Sequence, residues 1–314
     1  MASTKRKGRD GATEPDVTGT KSSTSGKMAT LKGSFGCAMD PSSPIHTLIL
    51  GTQPSDASLD GNRYYDTHTN AMWHIIGDAL GWRRGWLDSR GRGPTASITR
   101  SLLHETTLES YDEAIKQLTS RGYALWDVLK ESERAGSLDG DIKNAQPADI
   151  RGLVEQNPSI TKICLASGGT TATFFKRHFK SWLSEEGAFK FADDPTTQNF
   201  AWPRPKTPSA SSLADASAKR PIEIVIMESV SPAYVPRTSY GRKQMAKRSQ
   251  AYQEAGLPHL TRRASAYAWK RQQWFDQCFY RELSFEERAK RFGDREGDFV
   301  EEEEEDGAQV RAVD

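Results

Sequence analysis

Residues 46–80 of the chain read HTLILGTQPSDASLDGNRYYDTHTNAMWHIIGDAL, and this stretch decides the fold. The apolar run at residues 48–50 predicts a buried strand that stops at Gly51. The polar loop that follows is broken by Pro54, and open α/β sheets place their ligands in such loops at the carboxyl ends of strands. After Asn70, apolar residues at 72, 75, 76 and 79 have the spacing of a helix that buries one face. The stretch therefore predicts a strand, a polar loop, a tyrosine pair and a helix, in that order.

The composition restricts the class of protein. The chain has 314 residues, enough for one large domain or two small ones, but only 36% are hydrophobic. The mean hydropathy of −0.70 is low for a chain that is folded throughout, so part of it is predicted to be disordered. No apolar run approaches the ~20 residues of a membrane span, and the N-terminus lacks the apolar core of a secretory signal. Three widely separated cysteines favour a reducing compartment and give no zinc site.

Composition also divides the chain into regions. We predict that residues 1–42 are a disordered basic segment and that residues 284–314 are a charged acidic tail. Between them, residues 43–283 form a folded region with flexible insertions at about 84–104 and 203–219. The first insertion is rich in Gly and Arg and either touches a phosphate backbone or, as we favour, is a surface loop. The basic run Lys5-Arg6-Lys7-Gly8-Arg9 is either a nuclear-localisation or phosphate-binding patch or a merely solvated tail.

Three further apolar runs predict strands, near residues 123–128, 160–166 and 222–227. Helical patterns alternate with them, so the sequence predicts an α/β fold with a four-stranded, mostly parallel sheet. Polar loops follow the first and the fourth strand and are expected to meet at one edge of the sheet, where they form a single site. The turn with Gly168 and Gly169 after the third strand opens a helix and presents backbone N–H groups to an anion, although any such turn needs small residues.

Several chemistries are excluded by missing motifs. The six histidines are scattered and none has a usual metal-ligand spacing. The chain has no GxSxG, no Walker A sequence and no intact GxGxxG, which argues against a serine hydrolase, an NTPase and a dinucleotide enzyme. The remaining loops are rich in Ser, Asn, Gln and Tyr. Such loops suit hydrogen bonding to a planar polar ligand and to phosphates, with water as the nucleophile.

At this point the sequence resembles a known family. The motif LILGTQPS followed by YY and TNAMW is similar to the first motif of the uracil-DNA glycosylase superfamily, and in particular of its hypoxanthine-DNA (deoxyinosine) glycosylase branch. The segment ALWDVLKESERAGSLDGDIKNAQPADI resembles the middle segment of that branch, and SVSPAY resembles its last motif, STSPAN. The resemblance covers residues 45–280 apart from the insertions.

The resemblance implies a three-layer α/β/α sandwich and a monofunctional DNA glycosylase of base excision repair, which we expect to be nuclear. Such an enzyme flips a deaminated base, uracil or hypoxanthine, out of the DNA and hydrolyses its N-glycosidic bond without a metal or cofactor. Its partner is DNA with a damaged or mismatched base, and we expect a monomer without membrane contact. Two alternatives stay open: a non-catalytic DNA- or partner-binding module on the same fold, and an unrelated doubly wound hydrolase.

Two amides are the catalytic candidates that the resemblance implies. Asn70 matches the polar residue that the branch places on the helix after the first loop, although Asn is also a favoured helix cap. Gln53 stands where the branch has Phe and where other branches have the catalytic Asp or Asn. Gln53 therefore either binds a base edge or positions water, or is a loop residue of no consequence.

Further residues are assigned to DNA by the same resemblance. Tyr65 is expected to stack near the base, with ordinary core packing as the alternative. The last motif places Ser231 and Tyr234 at the base, although Tyr234 stands where the branch usually has Asn, which leaves the base specificity open. The phosphate-binding candidates are polar, small or loop-shaping residues: Ser55, Ser58, Gly168, Gly169 and Pro232.

Overall fold

The computed structural model describes residues 29–99, 102, 107–191, 202, 221–232, 246, 250 and 262–282. The strands are β1 (Thr30–Gly33), β2 (Thr47–Gly51), β3 (Arg83–Arg84), β4 (Leu108–Glu109), β5 (Tyr123–Asp127), β6 (Leu129–Arg134), β7 (Lys143–Pro147), β8 (Lys162–Leu165), β9 (Phe189–Phe191) and β10 (Ile222–Ile226). The helices are α1 (Asp56–Gly61), α2 (Met72–Leu80), α3 (Ala96–Thr99), α4 (Tyr111–Ser120), α5 (Ile150–Gln156), α6 (Thr171–His178), α7 (Lys180–Leu183) and α8 (Arg262–Gln277). No helix among these residues is long and apolar enough to span a membrane.

Five strands form the central sheet, in the order β5-β2-β8-β10-β9, and every neighbouring pair is parallel. All five residues of β2 are buried, because a central parallel strand is covered on both faces. The four predicted strands are confirmed as β2, β5, β8 and β10. The short strand β9 is an addition at the edge: its sequence FKF is too short for a recognisable pattern.

Helices cover both faces of this sheet, which confirms the α/β/α sandwich. Successive side chains of a strand point to opposite faces, and β2 shows this directly. Ile49 packs in one apolar cluster with residues of α2, α4 and α8. Leu48 and Leu50 pack in a second cluster with residues of α5, α6 and α7.

A second, antiparallel sheet lies beyond the end of β5 and has the order β1-β6-β7. The sequence analysis assigned the residues of the first strand to the disordered segment, which was wrong for these residues, and it predicted neither of the other two strands. The sequence does not indicate these strands because their residues are largely polar and partly exposed, so they lack the apolar pattern of a strand. They form a sheet because β6 continues directly from β5 and pairs with β1, which lies almost a hundred residues earlier.

The first predicted insertion is also more ordered than expected. Arg83, Arg84, Trp86 and Asp88 are all buried, and the guanidinium of Arg84 donates to the carbonyl oxygen of Asp66 at 2.7 Å. A surface loop does not bury these side chains, so the part of this segment that the structure describes is packed against the loop after β2. The second insertion, residues 203–219, and the tail, residues 284–314, lie outside the described residues, as does the basic run at residues 5–9.

Candidate active site

The carboxyl ends of the parallel strands bring the first and last motifs together. Gly51 ends β2 and pairs in register with Asp127, which ends β5. After β10, the backbone oxygen of Val230 accepts a hydrogen bond from the backbone N–H of Ala71, at 3.0 Å. Because Ala71 stands at the start of α2, the loop of the last motif lies beside the start of that helix. The predicted meeting of the two polar loops at one edge is therefore present in the fold.

Three residues converge at the end of β2. A side chain at Gly51 would place its Cβ 2.6 Å from Oδ1 of Asp127 and 2.9 Å from Oη of Tyr65. Both oxygens thus point at the same spot above the Gly51 backbone. Only glycine leaves room for them, and this close approach explains the glycine that ends the strand.

Asp127 is an almost completely buried carboxylic acid, with 3% of its surface exposed. Its Oδ2 accepts a hydrogen bond of 2.6 Å from the hydroxyl of Ser34, which follows β1. Burial, assisted by nearby Asp139, raises the pKa of Asp127 to about 7 against the opposing effects of the Ser34 hydrogen bond and of Arg134. Near neutral pH this side chain is therefore divided between its neutral and charged forms.

Tyr65 lies in the left-handed region with φ 53°, an uncommon conformation for a residue with a side chain. Its Oη is buried and has no hydrogen-bond partner among the described residues. Burial and the nearby Asp127 raise its pKa well above the usual range, so it stays a neutral donor. A buried hydroxyl without a partner costs free energy, and such groups are frequent where a ligand or water completes the bonding. The neighbouring Tyr64, in contrast, is a core residue whose hydroxyl donates to the oxygen of Gly36 at 3.0 Å.

Asn70 precedes helix α2 and contacts its start. Its side-chain Oδ1 accepts a hydrogen bond of 2.9 Å from the backbone N–H of Met72. This bond satisfies the first N–H of α2, as the capping alternative requires, although Ala71 occupies the N-cap position itself. Among the described residues its Nδ2 has no hydrogen-bond partner, so the cap leaves the donor end of the amide available to a ligand. The catalytic role of Asn70 stays a prediction.

The amide of Gln53 is engaged at both ends. Its Nε2 donates to the backbone oxygen of Lys32 at 2.7 Å, and its Oε1 accepts from the hydroxyl of Ser132 at 2.5 Å. These bonds tie the first loop to β1 and β6 of the small sheet. The predicted contact of Gln53 with a base or a water would therefore have to use the second N–H of Nε2 or the second lone pair of Oε1.

The two serines of the first loop contact each other and the backbone. The hydroxyl of Ser55 caps α1 by accepting from the N–H of Ser58 at 3.3 Å. Ser58 is buried, and its hydroxyl accepts from the N–H of Asp66 at 3.2 Å. Both hydroxyls thus shape the loop, and their binding to phosphate stays a prediction.

The turn after β8 lies beside the first loop. Gly169 is exposed, and Gly168 packs near Ile226 of β10. The hydroxyl of Thr171, at the start of α6, lies 2.9 Å from that of Thr52 in the first loop. Phosphate binding by the two glycines is not tested by this geometry, which shows only that the turn lies at the same edge of the sheet.

In the last motif, the structure describes Ser231 and the exposed Pro232, whereas Tyr234 lies outside the described residues. The backbone oxygen of Ser231 accepts a hydrogen bond of 2.8 Å from Nζ of Lys270 on α8. Burial lowers the pKa of Lys270 to about 8, and nearby Glu228 opposes this shift. The loop is therefore held in place by a buried amine from the C-terminal helix.

Asp127, Ser34 and Lys270 are the residues that the sequence analysis missed. A signal for Asp127 was present, since it ends a predicted strand whose carboxyl end must lie at the same edge as that of β2. Ser34 carries no signal, because it stands in a segment whose composition favours disorder. Lys270 is one of many basic residues of its helix, and only the packing distinguishes it.

The chain is similar in sequence to known DNA glycosylases, and among them to proteins named hypoxanthine DNA glycosylase. No family model matches the chain. Two curated relatives do, both named hypoxanthine DNA glycosylase: one from Methanosarcina acetivorans with 29% identity over 43% of this chain and 70% of its own length, and one from Methanosarcina barkeri with 25% identity over 44% and 71%. A solution NMR structure from Methanosarcina acetivorans, provisionally described as a uracil DNA glycosylase, aligns with 74% of this chain and 99% of its own, at 20% identity and a TM-score of 0.38.

The two curated relatives confirm the resemblance to the hypoxanthine-DNA glycosylase branch of the uracil-DNA glycosylase superfamily that the three motifs indicated. Within that superfamily, the curated relatives carry the name of the branch to which the motifs pointed, the hypoxanthine DNA glycosylases.

Proposed function

We propose that this protein is a DNA glycosylase that removes a deaminated base, hypoxanthine or uracil, by hydrolysis of its N-glycosidic bond. The observation that carries the proposal is the match to two hypoxanthine DNA glycosylases over about 70% of their length. The site is consistent with it, because a donor of Asn70 and a buried hydroxyl of Tyr65 stand without partners among the described residues, at the edge where the motifs meet.

In this proposal the base is flipped out of the DNA and enters the edge of the sheet between the first and last loops. Asn70 donates from Nδ2 to the base or to the water that attacks the sugar, while its Oδ1 holds the start of α2. Ser231 and Pro232 contact the DNA strand from the last loop. Cleavage leaves negative charge on the departing base, and donors placed at that charge stabilise the transition state.

The test is release of free base from oligonucleotides that contain uracil, hypoxanthine or xanthine, each in single-stranded and double-stranded form. We expect release from at least one of the deaminated bases and none from the undamaged sequence. Binding of all these oligonucleotides without release would instead identify a non-catalytic DNA-binding module. Nuclear localisation and a monomeric state stay predictions, to be checked by imaging of the tagged protein and by light scattering.

A further inference from the structure

Hydrolysis needs a group that takes a proton from the attacking water, and neither predicted amide is suited to this. An amide accepts hydrogen bonds through its oxygen but does not take up a proton near neutral pH. The oxygen of Asn70 is bound to the N–H of Met72, and that of Gln53 is bound to Ser132. A carboxylate at the same edge of the sheet is a side chain that can take up this proton.

Asp127 is such a carboxylate, and it lies at the centre of the site. It ends β5 next to Gly51, where the first loop begins. Its Oδ2 is fixed by Ser34 at 2.6 Å, whereas Oδ1 has no hydrogen-bond partner among the described residues and points at the spot above Gly51. The partnerless Oη of Tyr65 points at the same spot. Both oxygens therefore lie against the backbone of Gly51 without a hydrogen-bond partner among the described residues, and a water molecule that bridges the two would complete the bonding of both.

We propose that Asp127 is the general base of the reaction, that it binds the attacking water together with Tyr65, and that it does so in place of the amide of the first loop. This inference rests on the proposed glycosylase function. It assigns a catalytic role to a residue of the middle segment, with Ser34 as the positioning residue behind it.

The step balances without any further reactant. The water oxygen forms a bond to C1′ of the deoxyribose while the bond from C1′ to the base nitrogen breaks, and the bonding pair leaves with the base. The proton of the water passes to Oδ1 of Asp127. The base nitrogen takes up a proton from solvent, and Asp127 returns its proton to solvent, so the products are free base and an abasic site.

The acid–base properties of Asp127 support this role. A general base works best when its pKa lies near the working pH, and burial raises the pKa of Asp127 to about 7. Because only the charged form accepts a proton, the rate should rise with pH up to about 7 and become constant above it. The Ser34 hydrogen bond lowers this pKa, so its removal should move the rise to higher pH.

The experiment measures single-turnover base release from pH 5 to 9 for the wild type, Asp127→Asn, Ser34→Ala and the control Asp40→Asn. Asp40 precedes β2 at the opposite edge of the sheet, near Ser43, whose hydroxyl donates to the oxygen of Ser120. We expect Asp127→Asn to lose roughly 100-fold or more in rate together with the acidic rise, since general bases contribute ~10²–10⁴-fold. Ser34→Ala should shift the rise to higher pH, and Asp40→Asn should match the wild type in its profile.

The results separate the two proposals. A wild type that releases no base from any of the deaminated substrates overturns the proposed function, and the role of Asp127 with it. An active wild type with an equally active Asp127→Asn, or with the acidic rise retained in that variant, overturns only the role of Asp127. If Asp127→Asn fails to fold, Ser34→Ala decides, because it keeps the carboxylate: an unmoved acidic rise in that variant contradicts the proposal.

Discussion

At the scale of single residues, the site depends on the space that Gly51 leaves open. In a Gly51→Ala variant the new Cβ would lie 2.6 Å from Oδ1 of Asp127 and 2.9 Å from Oη of Tyr65, closer than such atoms approach. We expect the free energy of unfolding to fall by about 1–3 kcal/mol, as for other overpacked interiors, and base release to be lost. Thermal unfolding and base release measure the two effects.

The matched control is Gly36→Ala. A Cβ at Gly36 would meet no atom within 4 Å, so this variant should keep both stability and activity. Equal behaviour of the two variants would show that the spot above Gly51 is not as crowded as described.

Asn70 can be tested by a change that separates its two roles. Asp caps helices as well as Asn does, but a carboxylate has no N–H donor. If Asn70 is catalytic, Asn70→Asp should keep the stability of the protein and its DNA affinity while base release falls strongly. The comparison is single-turnover release at equal folded concentration. Equal rates for variant and wild type would leave Asn70 with the helix cap alone.

The residue scale is also where the sequence was least informative. Asn70 was recognised from a motif, and its capping bond was foreseen from the chemistry of its side chain. Asp127 was quoted within a motif without a role, because its burial, its raised pKa and its proximity to Tyr65 depend on how two strands pair. Contacts made across a sheet leave no local pattern in a sequence.

At the scale of elements, the small sheet β1-β6-β7 supports the first loop, which follows β2. Gln53 joins the two, because its amide bonds to Lys32 of β1 and to Ser132 of β6. A second connection comes from the amine of Lys32, which forms an ion pair with Asp56 and donates to the oxygen of Gly136. The first loop is therefore held from outside the central sheet.

Replacing Gln53 by Leu tests this support. The change keeps an apolar body of similar length but leaves the buried hydroxyl of Ser132 without its acceptor and the oxygen of Lys32 without its donor. We expect a loss of about 1–3 kcal/mol in the free energy of unfolding, which chemical denaturation measures. Unchanged stability would show that these two bonds contribute nothing net, and would favour the role of Gln53 at the base.

Elements differed in how well the sequence predicted them. Strand β2 is a continuous apolar run and helix α2 has apolar residues at helical spacing, and both were found within a residue or two. The residues of β6 and β7 are polar and charged, so their pattern is typical of a loop. They become strands only because β1 pairs with β6, and no pattern in the sequence around them indicates that partner.

At the scale of the whole molecule, the net charge of +1 conceals basic segments along the chain and a cluster of acid at residues 301–306. Contacts between basic side chains and phosphates release counterions, so we expect affinity for undamaged DNA to fall steeply from low to moderate salt. Titration of a fluorescent duplex at several salt concentrations gives the slope. A salt-independent affinity would contradict DNA binding through phosphates and point to a small-molecule enzyme.

The overall architecture could be predicted because it depends on repeated signals. Apolar strands alternating with helices predict an α/β fold with a mostly parallel sheet whichever residues line its edge, and the family resemblance implied the three-layer arrangement. The number of strands could not be predicted in the same way, since β9 has only three residues, two half-buried phenylalanines around an exposed lysine, and joins the sheet through pairing with β10.

The bond from Ala71 to the oxygen of Val230 has a mechanical consequence for the whole site. It joins the loop that precedes Pro232 to the residue that follows Asn70, so the two segments share one backbone contact of 3.0 Å. Any displacement of the last loop, such as pressure from a DNA strand, is transmitted directly to the first turn of α2. In the proposed complex, the contact of the last loop with DNA and the position of Asn70 therefore depend on each other.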